Sequence, residues 1–251
     1  MISVMIIYGI NPVLEALRAG RVRRLRVGNR ADRRLDQALD FARHIGVAVE
    51  RVDPPALDRA AKGGVHQGIV ADVVEPRDYT IAELVAAAAP EAPLIVVLDG
   101  IEDPQNAGAI LRTADAAGVH GIVRQARHAA SLGGAAAKAS AGAVSHVRVA
   151  TVVNIARAVD ELKDAGLWTV GLVGGTRDTY DQIDLTLPTA IVLGAEGPGL
   201  RRLVRERCDR LASIPMRGTV ESLNVSVAAG VTLFEAVRQR LLAGRSDAGK
   251  A

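Results

Sequence analysis

The chain is poor in several residue types, and each shortage excludes something. It has one cysteine, Cys208, among 251 residues. A disulfide framework and a cysteine-rich zinc site are therefore both excluded within one chain. Aromatic residues make up only 2%, so a core must rest on Val, Leu, Ile and Ala, which the 49% hydrophobic content supplies. No uninterrupted apolar run approaches the ~20 residues of a bilayer span. The N-terminus MISVMIIYG lacks the basic start and cleavage site of a signal peptide. The expectation is a soluble, cytoplasmic protein with no membrane partner. Lysine is scarce as well: four of the 31 basic residues are Lys and the rest are Arg, a side chain suited to phosphate. The net charge of +3 permits a nucleic-acid partner without demanding one.

Familiar chemical signatures are missing too. There is no G-x-x-x-x-G-K-S/T phosphate loop and no G-x-G-x-x-G after a strand. No G-x-S-x-G elbow or H-E-x-x-H pair occurs. The five histidines are scattered without metal-ligand spacing, so no metal is expected. An enzyme built from this chain would place polar residues at strand ends and use a cofactor that carries its own reactivity.

What is present is alternating apolar strands and helical patterns, in two α/β blocks. Residues 1–75 read as a small α/β unit, with Asn11 expected to cap the helix NPVLEALRAG. Residues 76–92, with alanines and two prolines, read as a linker or as an edge helix of the second block. Residues 93–245 open with the continuous apolar strand LIVVLDG, the pattern of a parallel sheet buried on both faces. Residues 246–251 are expected to fray.

Three strand-end segments carry the polar residues of interest. In DGIEDPQNAGAILRTADAAG, Asn106 could cap a helix, and Arg112 lies nearly two turns further on. In LGAEGPGLRRL, glycines surround Glu196 just after an apolar strand, which suits either a tight turn or close approach of backbone to a ligand. In SIPMRGTVESLNVSVAAGV, Ser222 suits an N-cap, which places Asn224 in the first helical turn. The stripe Leu223, Val227, Val231, Phe234 and Val237 is expected to face the core.

Taken together, NAGAILR, LGAEGPGL and IPMRGTVESLNVSVAAG resemble the three motifs of the SpoU (TrmH) branch of the SPOUT methyltransferases, in their order and spacing. The likeness spans about Leu94 to Leu242. Residues carrying YGINPVLEAL and HQGIVADV resemble the ribosomal-protein-like RNA-binding domain often fused to that family. Within it, the chain looks closest to bacterial enzymes that methylate guanosine 2′-hydroxyls of 23S rRNA.

The resemblance implies an α/β fold with a parallel sheet and a deep trefoil knot between about Ala190 and Val231, a rare exception to unknotted topology. It implies S-adenosylmethionine as cofactor, held at Gly194, Ile214 and Leu223 with Met216 nearby. It implies catalytic roles for Asn106, Arg112, Glu196, Ser222 and Asn224, and a homodimer. RNA contact is expected from Arg23, Arg24 and Arg26 in the first block and from Arg201, Arg202 and Arg205 after the second motif. The same chemistry on tRNA or at an antibiotic-resistance site of rRNA stays open, as does a non-catalytic RNA-binding role in ribosome assembly.

Overall fold

Four strands begin the first unit: β1 (Val4–Tyr8), β2 (Val22–Val27), β3 (Ala48–Arg51) and β4 (Ile69–Val74). The structure is a computed structural model and describes residues 4–29 and 32–248. The four strands form one sheet in the order β1-β4-β2-β3, antiparallel except for the β2–β3 pair. Helices α1 (Ile10–Arg18), α2 (Arg33–His44) and α3 (Pro54–Ala60) connect them. Their apolar faces (Val13, Ala16 and Leu17 of α1; Leu35, Ala38 and Leu39 of α2) are buried.

The cap of α1 differs from expectation. Gly9, not Asn11, is the N-cap, and Gln67 Oε1 accepts a hydrogen bond from the Ile10 N–H at 3.1 Å. A side chain 57 residues away thus satisfies a helix N-terminus that sequence assigned to its neighbour.

Contacts group residues 104–112 and 130–146 with this first unit. The second stretch holds the short helix α6 (Gly134–Ala139). Its run of alanines has a packing reason. A Cβ at Gly108 would lie 2.5 Å from the Ala136 carbonyl oxygen and 2.6 Å from Ala139 Cβ, so the helices approach too closely for any side chain at Gly108 and leave room only for small ones opposite.

The second unit is a parallel seven-stranded sheet in the order β7-β6-β5-β10-β8-β11-β9. Its strands are β5 (Leu94–Asp99), β6 (Gly121–Gln125), β7 (Val149–Val152), β8 (Trp168–Leu172), β9 (Asp178–Thr179), β10 (Thr189–Gly194) and β11 (Arg210–Ser213). All six residues of β5 are buried, as expected for a strand covered on both faces. Helix α4 (Ile81–Ala86) opens the unit with a Thr80–Glu83 capping box and buries Ile81 and Leu84. Leu84 packs in a core with Val97, Val123, Val159 and Val192. The segment around α4 is therefore part of this unit's core.

Helix α7 (Ile155–Asp164) covers the same core, and α8 (Arg202–Arg207) packs against it. The last helix, α9 (Val225–Ala248), continues three residues into the segment expected to fray; residues 249–251 lie outside the described residues. Its buried side is Val225, Ala229, Thr232, Leu233 and Ala236. The expected core stripe is displaced: Leu223, Val227 and Phe234 are exposed, and Val231 and Val237 only half-buried. Both sides of α9 are apolar, so the 3.6-residue period fits either, and the small residues take the sheet side because they allow closer approach.

Cys208 follows α8, with its thiol donating to the Val204 carbonyl at 3.3 Å. Burial, reinforced by Asp209, pushes its pKa up to about 12. The thiol therefore stays protonated at pH 8. Iodoacetamide labelling at pH 8 is expected to be slow in the folded protein and to rise about tenfold or more on unfolding, where the pKa returns to about 8.5. Equal rates in both states would contradict this burial.

Candidate functional site

The carboxyl ends of β8, β10 and β11 surround a pocket of about 570 Å³. In a parallel α/β sheet this is the end where ligands bind. Two of the three motif segments build it. Leu193 and Gly194 end β10, and the loop through Glu196 to Leu200 forms one wall. Ile214 and Met216, after β11, and Glu221 through Asn224, before α9, form another. Leu172, Val173 and Gly174, at the end of β8, complete the lining.

Gly194 shows why the sequence is glycine-rich here. A Cβ at this position would lie 2.2 Å from the Gly199 carbonyl carbon and 2.3 Å from the Leu200 nitrogen. The returning loop occupies the space a side chain would need. Ala195 and Gly199 exchange two backbone hydrogen bonds, at 3.2 and 2.9 Å, which close the loop on itself.

The two ends of the Asn224 side chain meet different partners. Its Oδ1 accepts from the Ser226 N–H at 2.9 Å and from the Ser226 hydroxyl at 2.6 Å, and its carbonyl accepts from the Ala228 N–H. It is therefore the cap of α9, and Ser222, expected to cap, lies in the loop before it. The Asn224 Nδ2 donates to Glu196 Oε1 at 2.6 Å, tying the third motif to the second. Ser222 is exposed and lines the pocket.

The first motif lies on α5 (Pro104–Ala116), and its Asn106 and Arg112 belong to the first unit by contacts, not to the unit that holds the pocket. Asn106 is buried. Arg112 is exposed and makes no hydrogen bond or ion pair among the described residues.

The arginines expected at RNA divide sharply. Arg24 is ion-paired with Glu50 and Arg26 with Asp72. Arg23 is exposed without a carboxylate partner among the described residues, beside a register shift in β2 that turns Arg23 and Arg24 both outward. Arg202 is paired with Glu206 at 2.8 Å, whereas Arg205 lines the pocket. Arg201 is taken up by the buried Asp99, with its backbone N–H donating at 2.8 Å and its Nε at 2.6 Å.

Sequence reasoning missed the β8 end, Arg205 as a pocket residue, and the buried pair of Asp99 and Gln125. The glycine pair after the apolar strand WTVGLVGG was the available signal for the β8 end. Among the described residues no group of three His, Cys, Asp or Glu is placed to hold a metal, and no helix is long and apolar enough to cross a membrane.

Fold and pocket together define an α/β protein with a pocket at the carboxyl end of a parallel sheet, and with a second, smaller α/β unit. Residues 93–234 match the model of the SpoU rRNA Methylase family, and residues 6–79 match that of RNA 2′-O ribose methyltransferase substrate binding. The chain belongs to the SpoU rRNA methylase family. It is 46% identical over 239 residues to the 23S rRNA (guanosine-2′-O-)-methyltransferase RlmB of Yersinia pestis, covering 94% of this chain and 97% of the relative. It is 40% identical to the putative TrmH family tRNA/rRNA methyltransferase YacO of Bacillus subtilis, covering 93% and 95%. Its fold is similar to the SpoU methyltransferase AviRb of Streptomyces viridochromogenes, solved with the cofactor AdoMet, at a TM-score of 0.79 and 29% identity over 94% of this chain and 90% of that one.

The two roles of Asn224 can be separated. Asn224→Asp keeps an acceptor for the cap but puts a second carboxylate against Glu196, whereas Asn224→Ala removes both functions. Thermal unfolding is expected to show a loss of about 1 kcal/mol for the alanine variant and little for aspartate. Both should weaken ligand binding in the pocket. Equal stability loss in the two variants would mean that Asn224 does not stabilise α9 as its cap.

Proposed function

We propose that this protein transfers a methyl group from S-adenosylmethionine to a ribose 2′-hydroxyl of RNA, and that its target is a guanosine of 23S rRNA. The observation that carries this reading is the pocket, where the second and third motifs meet through the Asn224–Glu196 hydrogen bond.

The lining fits the cofactor. The crowded backbone at Gly194 offers peptide groups without intervening side chains, and Leu193, Ile214, Met216 and Leu223 offer apolar walls to an adenosine. Glu196 and Glu221 add negative charge suited to a sulfonium and an ammonium group. When bound, S-adenosylmethionine supplies a methyl that is already activated, so the protein's task is chiefly positioning.

Arginine keeps its proton at neutral pH. An arginine with no partner, as Arg112 is among the described residues, suits a target phosphate and the oxyanion charge that develops as the hydroxyl loses its proton. Asn106 orients that arginine and the hydroxyl. Asn224 acts through Glu196, since both ends of its side chain are already engaged. Ser222 orders the cofactor end of the site.

Residues 1–75 act as the RNA grip. Among the described residues, Arg23, Arg33 and Arg34 are three of its exposed cations without a carboxylate partner, and the exposed Arg24–Glu50 pair is weak enough to yield to phosphate. Arg205 and Arg202 serve the target nearer the pocket. The interleaved strand order β10-β8-β11 supports the knot expected of this family. Residues 78–92, expected as a linker or an edge helix, belong with the catalytic part, residues 93–245. The protein acts in the cytoplasm, where bacterial ribosomal RNA is made.

A homodimer is supported by α9. Val227, Phe234 and Leu241 leave an apolar strip exposed on the side turned away from the sheet, each seven residues from the next.

Two experiments test these readings. Mass-spectrometric mapping of rRNA ribose methylation, with and without the gene, should lose one guanosine mark in its absence. Arg112→Lys should restore that mark about 10²-fold more slowly than wild type. An unchanged map removes the substrate, and wild-type activity of the lysine variant removes any special role for the guanidinium. For the dimer, Phe234→Asp should move the protein in light scattering from twice 26.3 kDa towards 26.3 kDa. A wild-type protein that already runs as a monomer contradicts the dimer.

A further inference from the structure

Asp99 has no exposure to solvent and ends β5. A buried carboxylate is costly unless it is paired and hydrogen-bonded. Arg201 does both. Its backbone N–H reaches one carboxylate oxygen at 2.8 Å, and its Nε reaches the other at 2.6 Å. Its Nη2 is ion-paired with the same carboxylate and donates to Gln125 Oε1 at 2.7 Å. Gln125, buried at the end of β6, donates in turn from Nε2 to the His128 carbonyl at 2.9 Å.

These contacts have a geometric consequence. Gly194, where the Glu196 loop begins, pairs with Asp99 in the β5–β10 ladder. Arg201, where that loop ends, is held by the Asp99 side chain. Both ends of the loop are thus referenced to one residue. Arg201 also spends its charge on Asp99, which makes it a poor phosphate anchor although its side chain is half exposed.

We infer that Asp99, Arg201 and Gln125 form a positioning clasp that sets the conformation of the Glu196 loop, and that Arg201 serves the reaction through this loop rather than by gripping RNA. The consequence for cofactor binding rests on the proposed methyltransferase reading; the consequence for the loop does not.

Hydrogen exchange on the free full-length protein tests the loop directly. Arg201→Gln is expected to raise exchange at the Ala195 and Gly199 amides by about tenfold, while the centre of β5 at Val96 and Val97 stays protected. Arg201→Lys keeps the charge but not the forked geometry, and should fall between the two. Titration with S-adenosylmethionine should show affinity about tenfold weaker in Arg201→Gln, because misplaced walls lose binding. Affinity for a 23S rRNA fragment, measured without cofactor, and its salt slope should not change.

Unchanged exchange at both amides, or a loss confined to RNA affinity and its salt slope, overturns the clasp and returns Arg201 to the RNA surface. If Arg201→Gln does not fold, Gln125→Ala, which leaves the ion pair in place, takes its role with a smaller rise at Gly199. No rise in that variant counts equally against the clasp. A wild-type protein that binds no S-adenosylmethionine would defeat the methyltransferase reading, and the exchange result would still decide the clasp.

Discussion

The chain passes so close to itself at Gly194 that a single methyl group there would overlap the backbone of Gly199 and Leu200. The pocket depends on that approach. It lets the loop after β10 fold back over its own strand, so Glu196 faces the segment before α9 instead of extending into solvent. It also explains the glycines around Glu196, which sequence left divided between a tight turn and a ligand-binding loop. The loop is a tight turn, closed by the Ala195–Gly199 pair, and it is also a wall of the pocket.

Charge is handled in two ways in this molecule. At the surface, Arg24–Glu50 and Arg202–Glu206 are solvent-exposed pairs, worth at most about 1 kcal/mol each and open to exchange with phosphate. Inside, Asp99 has no solvent to fall back on, and its pairing with Arg201 is part of how the strand ends are assembled. Adjacent arginines in one run, Arg201 and Arg202, therefore belong to different categories, and only the burial of the partner separates them.

Much of the fold was legible in the residues. The continuous apolar strand at Leu94–Asp99 and the alternation of strands and helices stand as expected, and the three polar segments follow β5, β10 and β11. Errors came where one local pattern admitted two solutions. Asn11 and Ser222 are good caps by residue type, yet Gln67 and Asn224 do the work, because a cap is chosen by which group reaches the free N–H groups in space. Helix α9 is apolar on two sides, so its period could not say which side meets the sheet.

By itself, the sequence determined the class of fold, through periodicity, and the three motifs, through residue types at strand ends; motif resemblance alone pointed to Gly194, Ile214, Met216 and Leu223, which line the pocket. Only the tertiary structure decided that Asn224 serves a helix and a carboxylate at once, that Asp99 claims Arg201, and that Phe234 points outward. Each of those outcomes depends on groups distant in the chain meeting in space, or on which of two equivalent faces is covered, and neither is written in local spacing.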